Sequence, residues 1–316
     1  MRCVILDDYQ GVALSMADWG RLAPAVDVSA ETRALPPEAL AARLAGVQIV
    51  VAMRERSRFD AALLMQLPDL RLLVTTGAAN AAIDVAACAR FGITLCGTGS
   101  EGHGAAELTW ALLLALSRGI VPETRTLEQG GWQHGLGRGL DGLRLGLLGL
   151  GRVGGRVARY GNAFGMRVSA WTPSLDAARA QAAGVTAAPS LEALFEGSDV
   201  ISLHLPLKPQ TQGIVSAERL ARMPRGGWLV NTARAGLMAP DALETALRSG
   251  QLAGAALDVF TTEPLPADDP LREVPNLLMT PHIGYVIEQT YRRYFNDALE
   301  NIEAFLAGAP IRRIVS

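Results

Sequence analysis

The chain has 316 residues, enough for two domains of roughly 150 residues each, and 49% of its residues are apolar, so both domains can bury a core. Its 29 Lys and Arg residues nearly balance 31 Asp and Glu residues, for a formal net charge of −2. This balance excludes proteins that bind nucleic acid or anionic membranes through a strong positive charge. The first residues form a poor signal peptide, and no apolar run reaches the roughly 18 residues that a membrane helix needs. We therefore expect a cytoplasmic protein without a nucleic-acid or membrane partner.

Short β-rich runs alternate with helical runs in the first third of the chain, which is typical of parallel sheets covered by helices. The predicted strands are Cys3–Leu6, Gln48–Ala52, Leu70–Thr75 and Ile93–Cys96, and the predicted helices are Pro37–Leu44, Ala61–Gln66 and Ile83–Arg90. The three cysteines are odd in number and lack the spacing of a metal site, so we expect buried, reduced thiols at Cys3, Cys88 and Cys96 and no metal.

A long helix is predicted at Glu101–Arg118, apolar around most of its circumference and therefore expected to be buried between domains or between subunits. Six glycines between residues 130 and 142 predict a loop. A second alternating series then runs from Leu143 to about Met279, and a helix from about Val286 to Leu306 closes the chain.

A glycine-rich turn follows the predicted strand Leu143–Leu148, in the sequence LRLGLLGLGRVGGRVA. Its glycines have the spacing G-x-G-x-x-G, which permits a tight turn, close approach of the backbone to a pyrophosphate, and close packing of the next helix. The N-terminus of that helix offers N–H groups and a favourable dipole to the anion. We therefore predict a dinucleotide site formed by Gly149, Gly151, Arg152, Val153 and Gly154.

The next predicted strand, Arg167–Trp171, ends without the acid that usually holds the ribose 2′-hydroxyl of NAD. Thr172 stands there instead, so nothing repels a 2′-phosphate. No arginine follows directly to hold one either, since Asp176 and Arg179 lie further along the chain. The sequence leaves the choice between NAD and NADP open.

Three charged residues come just after predicted strands of the second series: Arg234 after Trp228–Asn231, Glu263 after Ala253–Asp258, and His282 after Leu277–Met279. Ligands of open α/β sheets bind outside the carboxyl ends of the strands. Reduction of a 2-oxo acid needs a cation for the carboxylate, which Arg234 supplies. It also needs a proton donor, which suits His282, and it gains from an acid that orients the imidazole, which suits Glu263.

Two other polar residues of the second series have more than one interpretation. His204 ends a predicted strand and is expected to line the cofactor cleft rather than to catalyse. Asp258 ends its strand, where it either accepts a hydrogen bond from the nicotinamide carboxamide or caps the following turn. His103 and His134 lie in glycine-rich loops without a nearby acid, so we assign them no role.

The motifs resemble the D-2-hydroxyacid dehydrogenase family over nearly the whole chain. The resemblance is carried by PDLRLLVTTGAANAAIDVAA, AAELTWALLLAL, LGLLGLGRVGGRVA, SDVISLHLPLKPQTQGIV, LVNTARAG, AALDVFTTEPLP and NLLMTPHIGY. It implies an α/β fold with two doubly wound parallel-sheet domains, a Rossmann-type cofactor domain and a flavodoxin-like substrate domain. The substrate or lid domain is then discontinuous, at residues 1–100 and 285–316, and the dinucleotide-binding domain covers residues 101–284.

The resemblance also implies roles for individual residues. Arg234 binds the substrate, Glu263 supports the histidine, and His282 is the general acid/base. Thr232, Arg234 and Asp258 line the nicotinamide pocket, and the substrate contacts are Arg54 and the backbone N–H groups around Gly77, Ala78 and Ala79. The chain departs from the family at Ala235, Ala239 and Tyr285, which affects the choice of substrate rather than the chemistry. No regulatory domain follows the core, so we expect no feedback by serine.

We therefore predict an NAD(P)-dependent oxidoreductase that acts on the CH–OH group of donors. It transfers a hydride between nicotinamide and a small 2-oxo or 2-hydroxy acid, for example glyoxylate, hydroxypyruvate or 3-phosphoglycerate. The apolar helix and the glycine-rich arm with Trp132 predict a homodimer. One alternative is a non-catalytic, NAD(H)-sensing corepressor-like protein. Formate dehydrogenase is a second, against which Glu263 argues because that relative has glutamine. A purely structural dinucleotide-binding protein would leave the three strand-end residues unexplained.

Overall fold

Two units make up the chain in the computed structural model, which describes residues 1–100 and 102–315. One unit is Met1–Glu101 with Val286–Ser316, and the other is Gly102–Tyr285. Tyr285, which the sequence assigned to the first domain, therefore lies in the second unit. Glu101, the start of a predicted helix and a predicted domain, and Ser316, the predicted end of the first domain, lie outside the described residues.

The first unit contains a parallel sheet of five strands. They are β1 (Arg2–Ile5), β2 (Asp27–Ala30), β3 (Ile49–Ala52), β4 (Leu72–Thr75) and β5 (Thr94–Cys96), in spatial order β2-β1-β3-β4-β5. Helices α1 (Pro37–Leu44), α2 (Ala61–Met65) and α3 (Val85–Arg90) connect them. The order turns back at β1, so the ends of β1 and β3 form the switch point of a flavodoxin-like sheet.

Both faces of this sheet are covered. Strands β3 and β4 are buried along their whole length, which explains their continuous apolar runs. Val50 and Leu73 face the core beneath α1, α2 and α3, and the C-terminal helix (Glu288–Leu306) contacts β4. Strand β2 was not predicted, because its sequence DVSA has no apolar run and it pairs with β1 alone.

The second unit opens with two helices, α4 (His103–Arg118) and α5 (Ile120–Glu128). Helix α4 contacts strands and a helix of its own unit and is buried there through Trp110, Leu112 and Leu113. Its apolar character thus has an explanation within this unit. Helix α5 was not predicted. Its Pro122 falls in the first turn, where the missing N–H breaks no helical hydrogen bond.

A parallel sheet of seven strands fills the rest of the second unit. Its elements in chain order are β6 (Arg144–Leu148), α6 (Arg152–Ala163), β7 (Arg167–Trp171), α7 (Ala177–Ala182), β8 (Thr186–Ala187), α8 (Leu191–Glu196), β9 (Val200–Leu203), α9 (Ala217–Arg222), β10 (Gly227–Asn231), α10 (Ala242–Arg248), β11 (Leu252–Leu257) and β12 (Leu277–Met279). The strand order is β12-β11-β10-β9-β6-β7-β8. The chain reverses between β6 and β9, as in a Rossmann sheet. The predicted fold class, two doubly wound parallel-sheet domains, is confirmed.

Two further expectations concern cysteines and membrane helices. Cys3, Cys88 and Cys96 are buried and free, as predicted. Over residues 1–100 and 102–315, no single helix combines the length and apolar character of a membrane span. Helices α4 and α5 meet that criterion only as a pair, and they are bent by 61° at their junction.

Candidate active site

The three glycines between β6 and α6 have different neighbours. A Cβ on Gly149, whose φ is +113°, would lie 2.6 Å from the backbone carbon of His204. A Cβ on Gly154 would lie 2.1 Å from the carbonyl oxygen of Gly149. A Cβ on Gly151 meets no atom within 4 Å. The fold itself therefore excludes side chains at the first and third glycines, whereas Gly151 faces open space into which a pyrophosphate fits.

Helix α6 begins at this loop and has twelve residues. The Gly155 N–H donates to the carbonyl of Gly151 at 2.8 Å, the first hydrogen bond of the helix. The N–H groups before Gly155 therefore have no carbonyl partner within the helix. Such an end favours an anion through its N–H groups and its dipole. The residues present therefore fit the diphosphate of a dinucleotide.

His204 lies beside the phosphate loop. Its N–H donates to Leu148 at 2.8 Å, and its backbone packs against Gly149. Its Nε2 lies 2.9 Å from the Ser202 hydroxyl, and burial lowers the pKa of His204 to about 3. The ring is therefore neutral at physiological pH, consistent with a wall of the cofactor site and not with a proton donor.

At the end of β7, the loop after Thr172 is held by its own hydrogen bonds. The Thr172 hydroxyl accepts from the Ser174 N–H at 3.3 Å. Asp176 caps α7 by accepting from the Arg179 N–H at 2.7 Å, and the Arg179 guanidinium donates to the Ser174 carbonyl at 2.8 Å. Asp176 thus serves as a helix cap, and the Arg179 guanidinium is hydrogen-bonded to the loop.

His282 and Glu263 form a direct pair. His282 Nδ1 lies 2.6 Å from Glu263 Oε2, and Glu263 Oε1 accepts from the Phe260 N–H at 2.8 Å. Burial raises the pKa of Glu263, but the hydrogen bond and charge of His282, the Phe260 N–H and the charge of Arg234 outweigh it and hold that pKa below its usual value. Because Nδ1 is engaged, Nε2 is the ring nitrogen left for a substrate.

Asp258 anchors the loop that carries His282. Its Oδ1 accepts from the Thr280 hydroxyl at 2.6 Å and the Ile283 N–H at 2.8 Å, and its Oδ2 accepts from the Gly284 N–H at 2.8 Å. His282 itself has a φ of +53°, a backbone conformation that residues other than glycine rarely adopt. Three hydrogen bonds to Asp258, one before this residue and two after it, therefore hold a strained backbone. Asp258 thus caps the turn, as one of its two interpretations predicted. Its Oδ2 can accept one more hydrogen bond, so a contact with the carboxamide is still possible.

Arg234 is held by the turn after β10. Asn231, fully buried, accepts from the Ala233 N–H with Oδ1 and donates to the Arg234 carbonyl with Nδ2, both at 3.0 Å. The Arg234 guanidinium donates to the Ala233 carbonyl at 2.7 Å. The Thr232 hydroxyl lies 2.7 Å from that of Thr109 on α4. The turn is therefore fixed by its own asparagine and by a neighbouring helix.

The expected substrate contacts Arg54, Gly77, Ala78 and Ala79 lie in the first unit, after β3 and β4. The Arg54 guanidinium covers Gly77, where a Cβ would lie 1.7 Å from Nη1, and it donates to the Thr76 carbonyl at 3.0 Å. The Gly77 N–H already donates to the Thr98 hydroxyl at 2.7 Å. In the described part of the chain, Ala78 and Ala79, unlike Gly77, donate their backbone N–H groups to no other residue.

Strand order explains why the three predicted catalytic residues come together. Strands β10, β11 and β12 are adjacent, and Arg234, Glu263 and His282 follow their carboxyl ends. Sequence reasoning missed the residues that hold this site, Asn231, Thr280 and Thr109. Asn231 had a local signal, because an asparagine at a strand end often bonds to the backbone two residues on. The described residues contain no group of three or more His, Cys, Asp or Glu side chains arranged to hold a metal.

Comparison with known proteins shows which family this chain resembles. Residues 110–284 match the family model of the NAD binding domain of D-isomer specific 2-hydroxyacid dehydrogenases. The chain is 38% identical to a glyoxylate reductase of Aeropyrum pernix over 79% of this chain and 78% of that protein. It is 32% identical to a glycerate dehydrogenase of Methylorubrum extorquens over 87% of each.

A phosphoglycerate oxidoreductase of Vibrio cholerae has a similar structure, with a TM-score of 0.92, 37% identity, and coverage of 98% of this chain and 100% of that one. The chain spans only about half, 48% and 51%, of two longer relatives named D-3-phosphoglycerate dehydrogenase. The predicted resemblance is thus confirmed. This chain belongs to the D-isomer specific 2-hydroxyacid dehydrogenase family, as an oxidoreductase that uses a nicotinamide dinucleotide and acts on a CH–OH group.

Proposed function

We propose that the protein interconverts a small 2-oxo acid and its D-2-hydroxy acid, with His282 as the general acid/base. The observation that carries this proposal is the 2.6 Å contact between His282 Nδ1 and Glu263 Oε2. It leaves Nε2 for the reacting oxygen and keeps a negative charge behind the imidazole. Arg234, on the adjacent strand end, supplies the positive charge that a 2-oxo acid requires.

A nicotinamide dinucleotide held at the loop of Gly149, Gly151 and Gly154 would supply the hydride for reduction. His282 donates its Nε2 proton to the carbonyl oxygen, which becomes the hydroxyl, and Glu263 accepts the Nδ1–H of the imidazolium throughout. Arg234 holds the substrate carboxylate and so orients the carbonyl toward His282. Oxidation uses the same groups in reverse, with neutral His282 taking the hydroxyl proton.

Four residues of the first unit have a proposed role in substrate binding. We propose that Ala78 and Ala79 donate their N–H groups to a carboxylate oxygen and that Arg54 adds a positive charge. Gly77 has a φ of +92°, which L side chains rarely adopt, and a Cβ there would displace the Arg54 guanidinium. An Arg54→Gln variant should raise KM for the acid more than it lowers kcat, because the lost charge binds ground state and transition state alike.

Glyoxylate and hydroxypyruvate are the proposed substrates, because the relatives named for glyoxylate and glycerate are similar to this chain over most of their length. The test is a panel of glyoxylate, hydroxypyruvate, pyruvate, phenylpyruvate and phosphohydroxypyruvate with both cofactors. In His282→Ala, kcat should fall about a hundred to ten thousand-fold, the usual effect of losing a general acid. Absence of turnover on the whole panel, or near-normal turnover in His282→Ala, would contradict the proposal.

We propose that both NAD and NADP are accepted, with kcat/KM values within roughly a hundredfold of each other, about 2.7 kcal/mol. Thr172 neither repels a 2′-phosphate nor holds it through a charge. Thr172→Asp should favour NAD by adding a carboxylate at the ribose. Arg179→Gln is the matched test for the nearby cation, and it should reduce kcat/KM for NADP selectively if Arg179 turns toward the phosphate. Strict rejection of one cofactor by the native enzyme would refute this interpretation of Thr172.

We also propose a cytoplasmic homodimer. The three buried, free thiols support the location, and the exposed apolar side chains Trp132 and Leu136 support the assembly. A fluorescent fusion protein tests the location in cells, and the mass in solution tests the assembly.

A further inference from the structure

A chain of two hydroxyl groups links helix α4 to the turn after β10. The Thr109 hydroxyl lies 2.7 Å from the carbonyl oxygen of Ala105, one helical turn earlier. It also lies 2.7 Å from the hydroxyl of Thr232. Thr109 is 1% exposed, so no bulk water competes for these contacts.

The number of protons determines the direction of both hydrogen bonds. A carbonyl oxygen can only accept, so Thr109 must donate its single hydroxyl proton to Ala105. The contact between Thr109 and Thr232 then needs the proton of Thr232. The single hydroxyl proton of Thr232 is therefore already donated, and its hydroxyl oxygen can only accept a hydrogen bond from a ligand.

The strand order places Thr232 in the nicotinamide half of a Rossmann site. The adenosine ribose of a dinucleotide lies at the end of the strand after the phosphate helix, here β7. Strand β10, which precedes Thr232, lies on the other side of β6. The other mononucleotide of the cofactor therefore extends toward β9, β10 and β11.

We propose that Thr109 is a positioning residue that makes Thr232 a pure hydrogen-bond acceptor for the carboxamide NH2 group of the nicotinamide. This inference rests on the proposed function, in which Thr232 contacts the nicotinamide ring. An acceptor at Thr232 fixes which end of the carboxamide faces the turn. It thereby fixes the rotation of the carboxamide relative to the ring from a residue that touches neither cofactor nor substrate.

The test compares equilibrium binding of NAD and acetylpyridine adenine dinucleotide, in which a methyl group replaces the NH2 donor. Wild type should bind the analogue about threefold to tenfold more weakly than NAD, the effect of one neutral hydrogen bond. Thr232→Val and Thr109→Val should bring the two dissociation constants close together. Thr109→Ser keeps the hydroxyl and should restore the wild-type ratio, which a merely structural role of the methyl group would not do.

Thr124 provides a matched control, because its hydroxyl donates to Ile120 one turn earlier at 2.8 Å in the exposed helix α5. Thr124→Val should leave the ratio unchanged. Thr109→Ala replaces Thr109→Val if valine unfolds the protein at this buried position. A wild-type ratio in folded Thr109→Val would overturn the proposal, and so would equal binding of both dinucleotides by wild type. Turnover is assayed separately, so an inactive wild type would refute the proposed function while the binding ratios still decide this inference.

Discussion

At the scale of single residues, the site consists of side chains that each have one end already bonded. Glu263 holds Nδ1 of His282, and the Ala233 carbonyl holds one end of the Arg234 guanidinium. These contacts orient the imidazole and the guanidinium. This preorganisation avoids the cost of ordering long side chains during the reaction.

The first prediction concerns the charge of Glu263. Reduction needs the imidazolium, so its kcat/KM should fall with rising pH. Glu263→Gln keeps the shape but removes the charge that favours the imidazolium, so this limb of the profile should move to lower pH. The oxidation profile should move the same way, with NAD affinity nearly unchanged as the control. Superimposable pH profiles in the two proteins would remove Glu263 from the mechanism.

A second prediction follows from the lowered pKa of His204. Its pKa falls from the ordinary 6.5 to about 3 in the folded protein, so between these values the unfolded chain binds a proton that the folded chain does not. Its contribution to stability is therefore fully present above pH 6.5 and is lost as pH falls toward 3, by up to about 1.4 kcal/mol per pH unit. His204→Gln should flatten this dependence in urea unfolding between about pH 4 and pH 7. Equal slopes in both proteins would show that His204 does not contribute.

At the scale of the element, different glycines of the phosphate loop are needed for folding and for ligand binding. Gly154→Ala should lower the free energy of unfolding by about 1–3 kcal/mol, because its Cβ collides with the Gly149 carbonyl. Gly151→Ala has open space and should leave the unfolding free energy unchanged. Its methyl group should nevertheless weaken NADH binding at least about tenfold, roughly 1.4 kcal/mol. Tight NADH binding by Gly151→Ala, measured by fluorescence titration, would mean that the diphosphate does not approach this face.

At the scale of the whole molecule, the segment after α5 presents apolar side chains to solvent. Trp132 is 75% exposed and Leu136 fully exposed. The segment is nevertheless ordered by Glu123, whose carboxylate accepts from the His134 N–H at 3.1 Å and the Gly135 N–H at 2.7 Å. An ordered arm with exposed apolar residues is characteristic of an interface.

We therefore predict a dimer by light scattering at micromolar concentration and a monomer for the double variant Trp132→Ser, Leu136→Ser. The substitutions remove apolar area that only a second copy would cover. Phe91→Ser is the matched control, since Phe91 is 40% exposed in the other unit, and it should leave the dimer intact. A monomeric wild type would refute the assembly.

The amino-acid sequence by itself determined the features that depend on local patterns. Alternation of apolar runs predicted the two parallel sheets, and the glycine spacing at 149, 151 and 154 predicted the phosphate loop. The strand-end positions of Arg234, Glu263 and His282 predicted side chains at one edge of the sheet, and these residues do follow the adjacent strands β10, β11 and β12. These signals are short-range, because side-chain period and turn chemistry are properties of a few neighbouring residues. Strand β2 and helix α5 were missed where that local signal is weak.

Only the tertiary structure decided how distant residues share their hydrogen bonds. Thr109 and Thr232 are 123 positions apart, and their contact depends on how α4 packs against the sheet. Asp258 meets Ile283 and Gly284 because β11 and β12 are neighbours in register. The sequence left two interpretations of Asp258 open, and its turn-capping contacts required the position of each N–H group around it. Hydrogen-bond partners are set by packing within a few tenths of an ångström, which no local pattern of residue types encodes.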